Sequence, residues 1–349
     1  VGIGSLGDPG TIVLDADMAE DGTNLVVAVR TFTPAQDPTG LSAPVGGGAI
    51  EQVSMRTGAV TKSMEFDSRI ESIAREPGGS RVAFGSVGSV GVIDLEEGRE
   101  LLQRGDPRAT DRDIGRVAWS PDGRWIGAAV MHDDIQIWDA ANYEVVARGM
   151  GHDDLIWSVG FDPTSRYLAT TSEDGTVRIW SVPDGRELHH LTGHGRSTLC
   201  ARFQPDGSRL ATGGRDARIL IWRTDTFDRV ASLEGHGNYV FDLEWTSDGS
   251  RLLSSSGDGT VRVWETTSLA ERRDATIERA QIVADLESGD STMVGADSGS
   301  AEPASDGAVA SASASSGATS SLSSREQEVV WQFQLRKQLE LHEARTIAN

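Results

Sequence analysis

Histidine, aspartate and a serine or threonine, the side chains that form nucleophilic triads, recur three times at fixed spacing in this chain. Each set starts at the histidine of a Gly-His pair. A hydroxyl residue, an aspartate and a tryptophan follow at successive steps of 18, 4 and 6 residues. In a single copy, such a set would suggest a hydroxyl group activated by a histidine for attack on a carbonyl. The three sets are His152, Thr170, Asp174 and Trp180; His194, Thr212, Asp216 and Trp222; and His236, Ser254, Asp258 and Trp264.

The threefold recurrence of this set favours a structural role over catalysis. Three copies of one constellation make no sense as three active sites in one chain. Each set also includes a tryptophan, whose N–H group needs an acceptor when the ring is buried. The sequence therefore predicts no catalytic residue.

Metal and cofactor chemistry is not indicated elsewhere in the chain. The seven histidines are spread along it, and three of them belong to the sets above. His189 and His190 are neighbours on a predicted strand, so their side chains point to opposite faces, and Cys200 is the only cysteine. The segments GVIDLEEG and VGGG lack the Lys-Ser/Thr pair and the following helix of a phosphate-binding loop. We therefore expect neither a metal ion nor a cofactor.

The three sets lie in segments that align without gaps and repeat every 42 residues. Runs such as RYLATTS and TVRIW have strand-like patterns, and turn-forming residues such as DPTS, PDG and SDG separate them. With the runs that follow each Gly-His pair and each tryptophan, every period yields four short strands, which is the pattern of a propeller blade. The segments are GHDDLIWSVGFDPTSRYLATTSEDGTVRIW, GHGRSTLCARFQPDGSRLATGGRDARILIW and GHGNYVFDLEWTSDGSRLLSSSGDGTVRVW.

These residues resemble the WD-repeat β-propeller family and look similar to its bacterial members. The resemblance implies that each set is the structural tetrad of that family. The aspartate on a tight turn would orient the histidine, the histidine would contact the hydroxyl, and the hydroxyl would meet the tryptophan N–H. The fold class implied is all-β, a WD-repeat propeller of four-stranded blades.

Residues 1–275 are predicted to form the propeller, with six recognisable blades. Only the last three carry a complete tetrad. The third blade keeps Trp138 but has no Gly-His pair, the second has no tryptophan, and the first contains a Pro/Gly-rich insert at residues 31–47. The predicted blades span about residues 11–65, 69–104, 113–150, 155–192, 197–234 and 239–275.

The C-terminal extension, residues 276–349, has two interpretations. Its Ser/Ala-rich stretch at 298–322 is a compositional linker. Ser323 and Glu326 form a capping-box pattern, and Trp331, Leu335, Leu339 and His342 share one helical face, which favours a helix. The segments STMVGAD and VVWQFQL could instead be strands of a divergent seventh blade. We expect seven blades in the closed ring.

One face of the propeller is the predicted binding surface. The residues three and five positions after each tetrad histidine fall outside the apolar pattern of the first strand, and the family resemblance places them on the rim of the central channel. The residue before each tetrad aspartate joins the same surface. Aromatic residues with an arginine on an exposed face are typical of interaction hot spots. The predicted partner-binding residues of this narrow face are Leu155, Trp157, Glu173, Leu199, Arg215, Tyr239 and Phe241.

The charge of the chain limits the class of its partners. It carries 53 acidic and 32 basic residues, a formal net charge of −21. Such a surface repels phosphate backbones and anionic membranes, so we expect a protein or peptide partner, preferably a basic one, and neither nucleic acid nor membrane. There is no apolar run of roughly 20 residues, no signal-peptide pattern and only one cysteine. A cytoplasmic location is expected.

Together these features predict a non-enzymatic protein–protein interaction scaffold that binds a peptide or a partner domain on the narrow face. The alternative is a C-terminal sensor or regulatory module of a larger signalling protein, such as a kinase or a signal-transduction NTPase. A propeller enzyme is less favoured, because no polar set outside the tetrads converges on the channel rim. The identity of the partner and the oligomeric state do not follow from the sequence.

Overall fold

The computed structural model describes residues 11–18, 22–31, 47–105, 115–129 and 134–266, and every helix or strand assigned in these ranges is a β-strand. The strands form six antiparallel sheets, each made of strands that follow one another in the chain. We call these sheets blades 1 to 6 in chain order. Blades 1 to 5 have four strands each, and blade 6 has three among the described residues.

Blades 1 to 3 cover the first half of the described chain. Blade 1 contains β1 (Thr11–Met18), β2 (Asn24–Thr31), β3 (Gly48–Ser54) and β4 (Val60–Phe66). Blade 2 contains β5 (Ile70–Arg75), β6 (Arg81–Ser86), β7 (Ser89–Asp94) and β8 (Arg99–Gly105). Blade 3 contains β9 (Arg116–Trp119), β10 (Trp125–Ala129), β11 (Asp134–Asp139) and β12 (Val145–Met150).

Blades 4 to 6 carry the three tetrads. Blade 4 contains β13 (Ile156–Phe161), β14 (Tyr167–Ser172), β15 (Val177–Ser181) and β16 (Glu187–Leu191). Blade 5 contains β17 (Thr198–Phe203), β18 (Arg209–Gly214), β19 (Ile219–Arg223) and β20 (Arg229–Leu233). Blade 6 contains β21 (Val240–Trp245), β22 (Arg251–Ser256) and β23 (Val261–Glu265).

Side chains on both faces of the middle strands are buried, which explains their nearly continuous apolar runs. In β2, Val26 and Ala28 pack with residues of blade 2, whereas Leu25, Val27 and Val29 belong to a cluster on the other face. Successive side chains of a strand point to opposite faces, so both faces of this sheet exclude water. The fourth strands are far more exposed, and β8 is exposed at five of its seven positions. Each blade therefore runs from a buried inner side to a polar outer edge.

The hydrophobic core lies between blades rather than within them. The first strands lie side by side in the order β1, β5, β9, β13, β17 and β21. Each tetrad tryptophan packs on the preceding blade: Trp180 joins a cluster with Ile135 and Ile137 of blade 3, and Trp264 joins one with Ile219 and Ile221 of blade 5. Burial of apolar surface thus stabilises the contact between neighbouring blades.

The predicted all-β propeller is confirmed by these six sheets. Five have the four strands expected of a blade. The fourth strand that the sequence predicts for blade 6 and the choice between a helical extension and a seventh blade both concern residues after 266. Those two predictions lie outside the described residues.

Candidate interaction face

The first strands of all six blades surround a central cavity of about 590 Å³. The pairing of the first two strands is interrupted by a register shift at the start of blades 4, 5 and 6. The residues at these bulges are Trp157, Leu199 and Phe241, and all three line the cavity. A bulge leaves one residue out of the ladder and redirects its side chain. The backbone irregularity thus brings three of the predicted face residues to the channel.

Hydrogen bonds join the four residues of each tetrad. In blade 4, His152 Nδ1 lies 2.9 Å from a carboxylate oxygen of Asp174, and His152 Nε2 lies 2.7 Å from Thr170 Oγ1. Trp180 Nε1 donates to the same hydroxyl oxygen at 2.9 Å. The corresponding distances in blades 5 and 6 lie between 2.7 and 3.0 Å. A neutral histidine protonated at Nδ1 satisfies every group, because the hydroxyl donates to Nε2 and accepts from the indole.

The tetrad hydroxyls are enclosed in the blades. The relative exposure of Thr170, Thr212 and Ser254 is 0% in each case. A nucleophile has to reach its substrate, and these oxygens do not reach solvent. The chain Asp–His–hydroxyl–Trp instead fastens the loop before each first strand to the second and third strands of the same blade.

The same hydrogen bonds hold the pKa of the tetrad aspartates well below the usual range. Burial alone would raise the pKa of Asp174, but hydrogen bonds from His152, from Thr176 and from backbone N–H groups stabilise the ionised carboxylate and outweigh it. The pKa of Asp216 and the pKa of Asp258 are lowered in the same way. All three carboxylates are therefore charged in the folded protein at neutral pH.

We expect acid to destabilise the propeller through these groups. A carboxylate with a lowered folded pKa contributes stability that is complete above its unfolded pKa, near 3.8, and is lost as the pH falls toward the folded pKa. Burial also lowers the pKa of His236 below 6.5, so its contribution is lost as the pH falls below that value. In urea titrations from about pH 7 to about pH 3, the free energy of unfolding should fall, with each proton taken up adding about 1.4 kcal/mol per pH unit to the slope. The Asp216→Asn variant should show a shallower slope below about pH 4, and a slope equal to that of the wild type would contradict this expectation.

Blade 3 satisfies its tryptophan without a tetrad. Ala128 stands in the strand register where blade 4 has Thr170, so the hydroxyl is missing. Trp138 Nε1 donates instead to Gln136 Oε1 at 3.0 Å, and both residues are buried. Gln136 lies two positions before Trp138 on β11, so the two side chains share a face. Sequence reasoning missed this substitute, although a polar residue two positions before a buried tryptophan is the signal that could have revealed it.

One backbone hydrogen bond recurs in the loops of the three tetrad blades. The residue before each tetrad aspartate donates its N–H to the carbonyl of the residue three positions after the histidine. This bond brings together the loop residues that the sequence assigned to the narrow face. The pairs are Glu173 with Leu155 at 2.9 Å, Arg215 with Ser197 at 2.8 Å, and Gly257 with Tyr239 at 2.9 Å.

Five of the seven predicted face residues, contributed by three blades, are in mutual contact. Trp157 Nε1 donates to one oxygen of Glu173 at 2.6 Å, and Arg215 Nη1 donates to the other at 3.0 Å. The guanidinium carbon of Arg215 lies 5.6 Å from the centroid of the Trp157 ring and 5.7 Å from that of the Tyr239 ring. The rings of Tyr239 and Phe241 meet edge to face at 5.9 Å. We call Trp157, Glu173, Arg215, Tyr239 and Phe241 the aromatic–arginine cluster.

The other two predicted face residues take different positions. Leu199 lines the same cavity as the cluster. Leu155 is half-buried, and its backbone carbonyl accepts the N–H of Glu173. Sequence reasoning also missed Arg116, whose guanidinium carbon lies 5.9 Å from the centroid of the Trp157 ring. Arg116 belongs to blade 3, where no Gly-His pair marks the register.

Comparison with protein families identifies three segments of the chain as repeats. Residues 144–181, 185–223 and 227–265 match the family described as WD domain, G-beta repeat. These three matched segments are similar to WD repeats, and they include the first three strands of blades 4, 5 and 6, respectively. Repeats of this family generally mediate protein–protein interaction, and its propellers are typically not enzymes. No curated protein matches the chain.

The described ranges also bear on metal sites and membrane spans. Across these ranges, no three histidine, cysteine, aspartate or glutamate side chains are grouped so that they could hold a metal ion. No helix that is long and apolar enough to cross a membrane occurs in the same residues.

Proposed function

We propose that this chain is a non-enzymatic scaffold that binds a peptide segment or a partner domain on the narrow face. The observation that carries the proposal is the aromatic–arginine cluster at the central cavity. Its aromatic rings are only partly covered, and Tyr239 is 38% exposed. The hot spots of protein interfaces are enriched in tryptophan, tyrosine and arginine, and these few residues carry most of the binding energy.

The rigidity of the site supports this proposal. The tetrads fix the loops that carry Glu173 and Arg215, and each of these residues directly precedes a tetrad aspartate. The side chains of the cluster are further held by the hydrogen bonds from Trp157 and Arg215 to Glu173. A surface that is ordered before binding loses little conformational entropy when a partner docks, which raises affinity.

The net charge of −21 supports a more specific proposal about the charge of the partner. A long-range negative field attracts basic proteins and repels nucleic acids and anionic membranes. We therefore propose a protein partner whose overall charge is positive. A cytoplasmic location is also proposed, and the single cysteine of the sequence supports it.

The experiment is an affinity capture from lysate of the source cells with three forms of the chain. The first is the wild type, and the second is the face variant Trp157→Ala, Tyr239→Ala, Phe241→Ala. The third is a matched control that removes exposed apolar side chains from the outer strands, namely Val146→Ala, Met150→Ala and Val230→Ala, which are 46%, 73% and 50% exposed. Circular dichroism and thermal unfolding establish that all three are folded.

We expect specific proteins that the wild type and the outer-strand control retain and the face variant loses. Truncation of a hot-spot residue costs about 2 kcal/mol or more, so losing three should lower retention far below detection. Equal retention by the face variant would refute the assignment of the surface. If no form retains a protein, the scaffold proposal fails, and the alternative of a regulatory module acting on a domain of the same protein takes its place.

A further inference from the structure

The Arg215 side chain is fixed in place but keeps unused hydrogen-bond donors. Its guanidinium lies beside the rings of Trp157 and Tyr239, and its Nη1 donates to Glu173. A guanidinium has five N–H donors. Within the described part of the chain, the remaining donors of Arg215 make no hydrogen bond, and its side chain is 36% exposed. Unused donors of an ordered cation therefore face the solvent at the cavity.

The carboxylates around the cavity are, by contrast, already engaged. Glu173 accepts from both Trp157 and Arg215, one donor on each oxygen. The five acidic residues that line the cavity each have a partner in the chain. These pairs are Asp15 with the N–H of Ile73, Asp17 with the N–H of Arg75, Glu71 with Arg69, and Asp242 and Glu244 with Arg202.

A second guanidinium lies beside the same ring. That of Arg116 lies 5.9 Å from the Trp157 centroid, and that of Arg215 lies 5.6 Å from it. A lysine or arginine from a partner would have to approach a ring that already has two cations beside it, and would find the carboxylates of the site engaged. Beside Trp157 the local chemistry therefore favours an anionic ligand, although the chain as a whole is acidic.

We propose that Arg215 binds a carboxylate side chain of the partner, an aspartate or glutamate that lies next to an apolar residue. The apolar residue would pack on the partly exposed rings of Tyr239 and Phe241. Arginine and carboxylate form strong, directional hydrogen bonds, and a stacked guanidinium loses little freedom when it makes them. The overall negative charge does not decide this contact, because salt screens charges beyond about 8 Å at physiological ionic strength. The inference rests on the proposed function, and it specifies the chemical group of the partner that binds at the proposed face.

The test uses a random-peptide phage library selected on the folded wild-type chain. The selection is repeated on Arg215→Gln and on the matched control Arg223→Gln, whose arginine is 53% exposed and lies at the end of β19 in the same blade. We expect the wild type and the control to enrich peptides with an aspartate or glutamate beside an apolar residue. Selection on Arg215→Gln should lose the acidic preference.

The best peptide is then synthesised with its acidic residue kept, changed to the neutral amide, changed to lysine, or changed to phosphoserine, and binding is measured by fluorescence anisotropy. On the wild type, the change to the amide should weaken binding by about tenfold to a hundredfold, as expected for a hydrogen bond to a charged group. On Arg215→Gln, the acidic and amide peptides should bind alike, because the partner of the charge is gone.

Three results would overturn the inference, and they separate it from the proposed function. Enrichment of lysine or arginine, or tighter binding of the lysine peptide, would show a site for basic side chains and leave the scaffold proposal standing. Tighter binding of the phosphoserine peptide would assign the site to phosphate rather than carboxylate. If the selected peptides bind the Trp157→Ala, Tyr239→Ala, Phe241→Ala variant as well as the wild type, the proposed face fails and the inference fails with it.

Discussion

The His194→Ala variant is expected to lower the free energy of unfolding by about 2–4 kcal/mol, because it leaves buried polar groups without their partner. The imidazole joins Asp216 to Thr212, whose hydroxyl is fully buried. Removing it leaves the hydroxyl only the distant carbonyl of Leu220, at 3.5 Å, as an acceptor, and it deprives the carboxylate of one donor. A buried polar group that loses its partner costs about 1–3 kcal/mol, far more than the net gain from an ordinary hydrogen bond.

The matched control for this prediction is His190→Ala. His190 lies on β16, is exposed, and takes no part in a tetrad. Urea denaturation followed by circular dichroism gives the free energy of unfolding of both variants. We expect a change within about 0.5 kcal/mol for His190→Ala. If the two variants lose the same stability, the tetrad of blade 5 contributes nothing particular to the fold.

The tetrad prediction also has a consequence for binding. Asp216 directly follows Arg215, and its carboxylate accepts the N–H of Gly195, so the tetrad fixes the turn that carries the arginine. When His194 is removed, the turn loses one of its anchors and Arg215 has to be ordered upon binding. We therefore expect partner affinity to fall in His194→Ala even under conditions in which the variant is fully folded.

The sequence specifies the fold well because the repeat itself is a physical unit. A period of 42 residues yields four short strands, and the nearly continuous apolar runs of the middle strands are buried on both faces only when blades stack. The constant spacing between Gly-His and tryptophan reflects constant strand and turn lengths. For that reason the distances from Nε2 of His152, His194 and His236 to the tetrad hydroxyls all lie between 2.7 and 2.9 Å.

The contacts between blades could not be derived in the same way. Trp157, Arg215 and Tyr239 come from three blades, and Arg116 comes from a fourth. Their meeting depends on the spacing of the first strands around the cavity, which the 42-residue period does not encode, whereas the bulges at Trp157, Leu199 and Phe241 do recur with that period. The strand register within one blade determines whether a residue lies on the narrow face. The packing of neighbouring blades determines which residues it contacts there. The role of these residues in binding stays a prediction.

The blades without a complete tetrad also make contacts that the sequence does not predict. Blade 3 has no Gly-His pair from which the position of Arg116 could be counted. Gln136 takes the place of the tetrad hydroxyl because it lies two residues before Trp138 on the same strand. Blade 2 joins blade 3 through Arg81, which donates to the backbone carbonyl of Ala140 at 2.6 Å and to the hydroxyl of Tyr143 at 2.9 Å. The two residues of each pair are about 60 positions apart in the sequence, and no local sequence pattern predicts their contact.

A close approach between the backbones of these two blades leads to a second strong prediction, a loss of stability in Gly85→Ala. A Cβ atom at Gly85 would lie 2.1 Å from the backbone carbonyl oxygen of Gly115. A Cβ at Gly115 would in turn lie 2.6 Å from the carbonyl oxygen of Ser89. The N–H of Gly115 donates to the carbonyl of Ser86 at 2.9 Å, so the two backbones are bound together at this point. Since backbone atoms have to move to admit the methyl group, we expect a loss of about 1–3 kcal/mol or more.

The control for Gly85→Ala is Gly160→Ala. Gly160 also lies in a strand, β13, but its Cβ would meet the carbonyl oxygen of Ala201 at 3.7 Å, which is ordinary van der Waals contact. Both changes reduce the freedom of the unfolded chain by the same amount, so the difference in their free energies of unfolding measures the clash alone. A shift of Gly115 would also displace the next residue, Arg116, from Trp157, so Gly85→Ala should weaken partner binding as well as stability. If the two variants are equally stable, blades 2 and 3 separate at little cost, and the position of Arg116 beside the cluster is not fixed by the propeller.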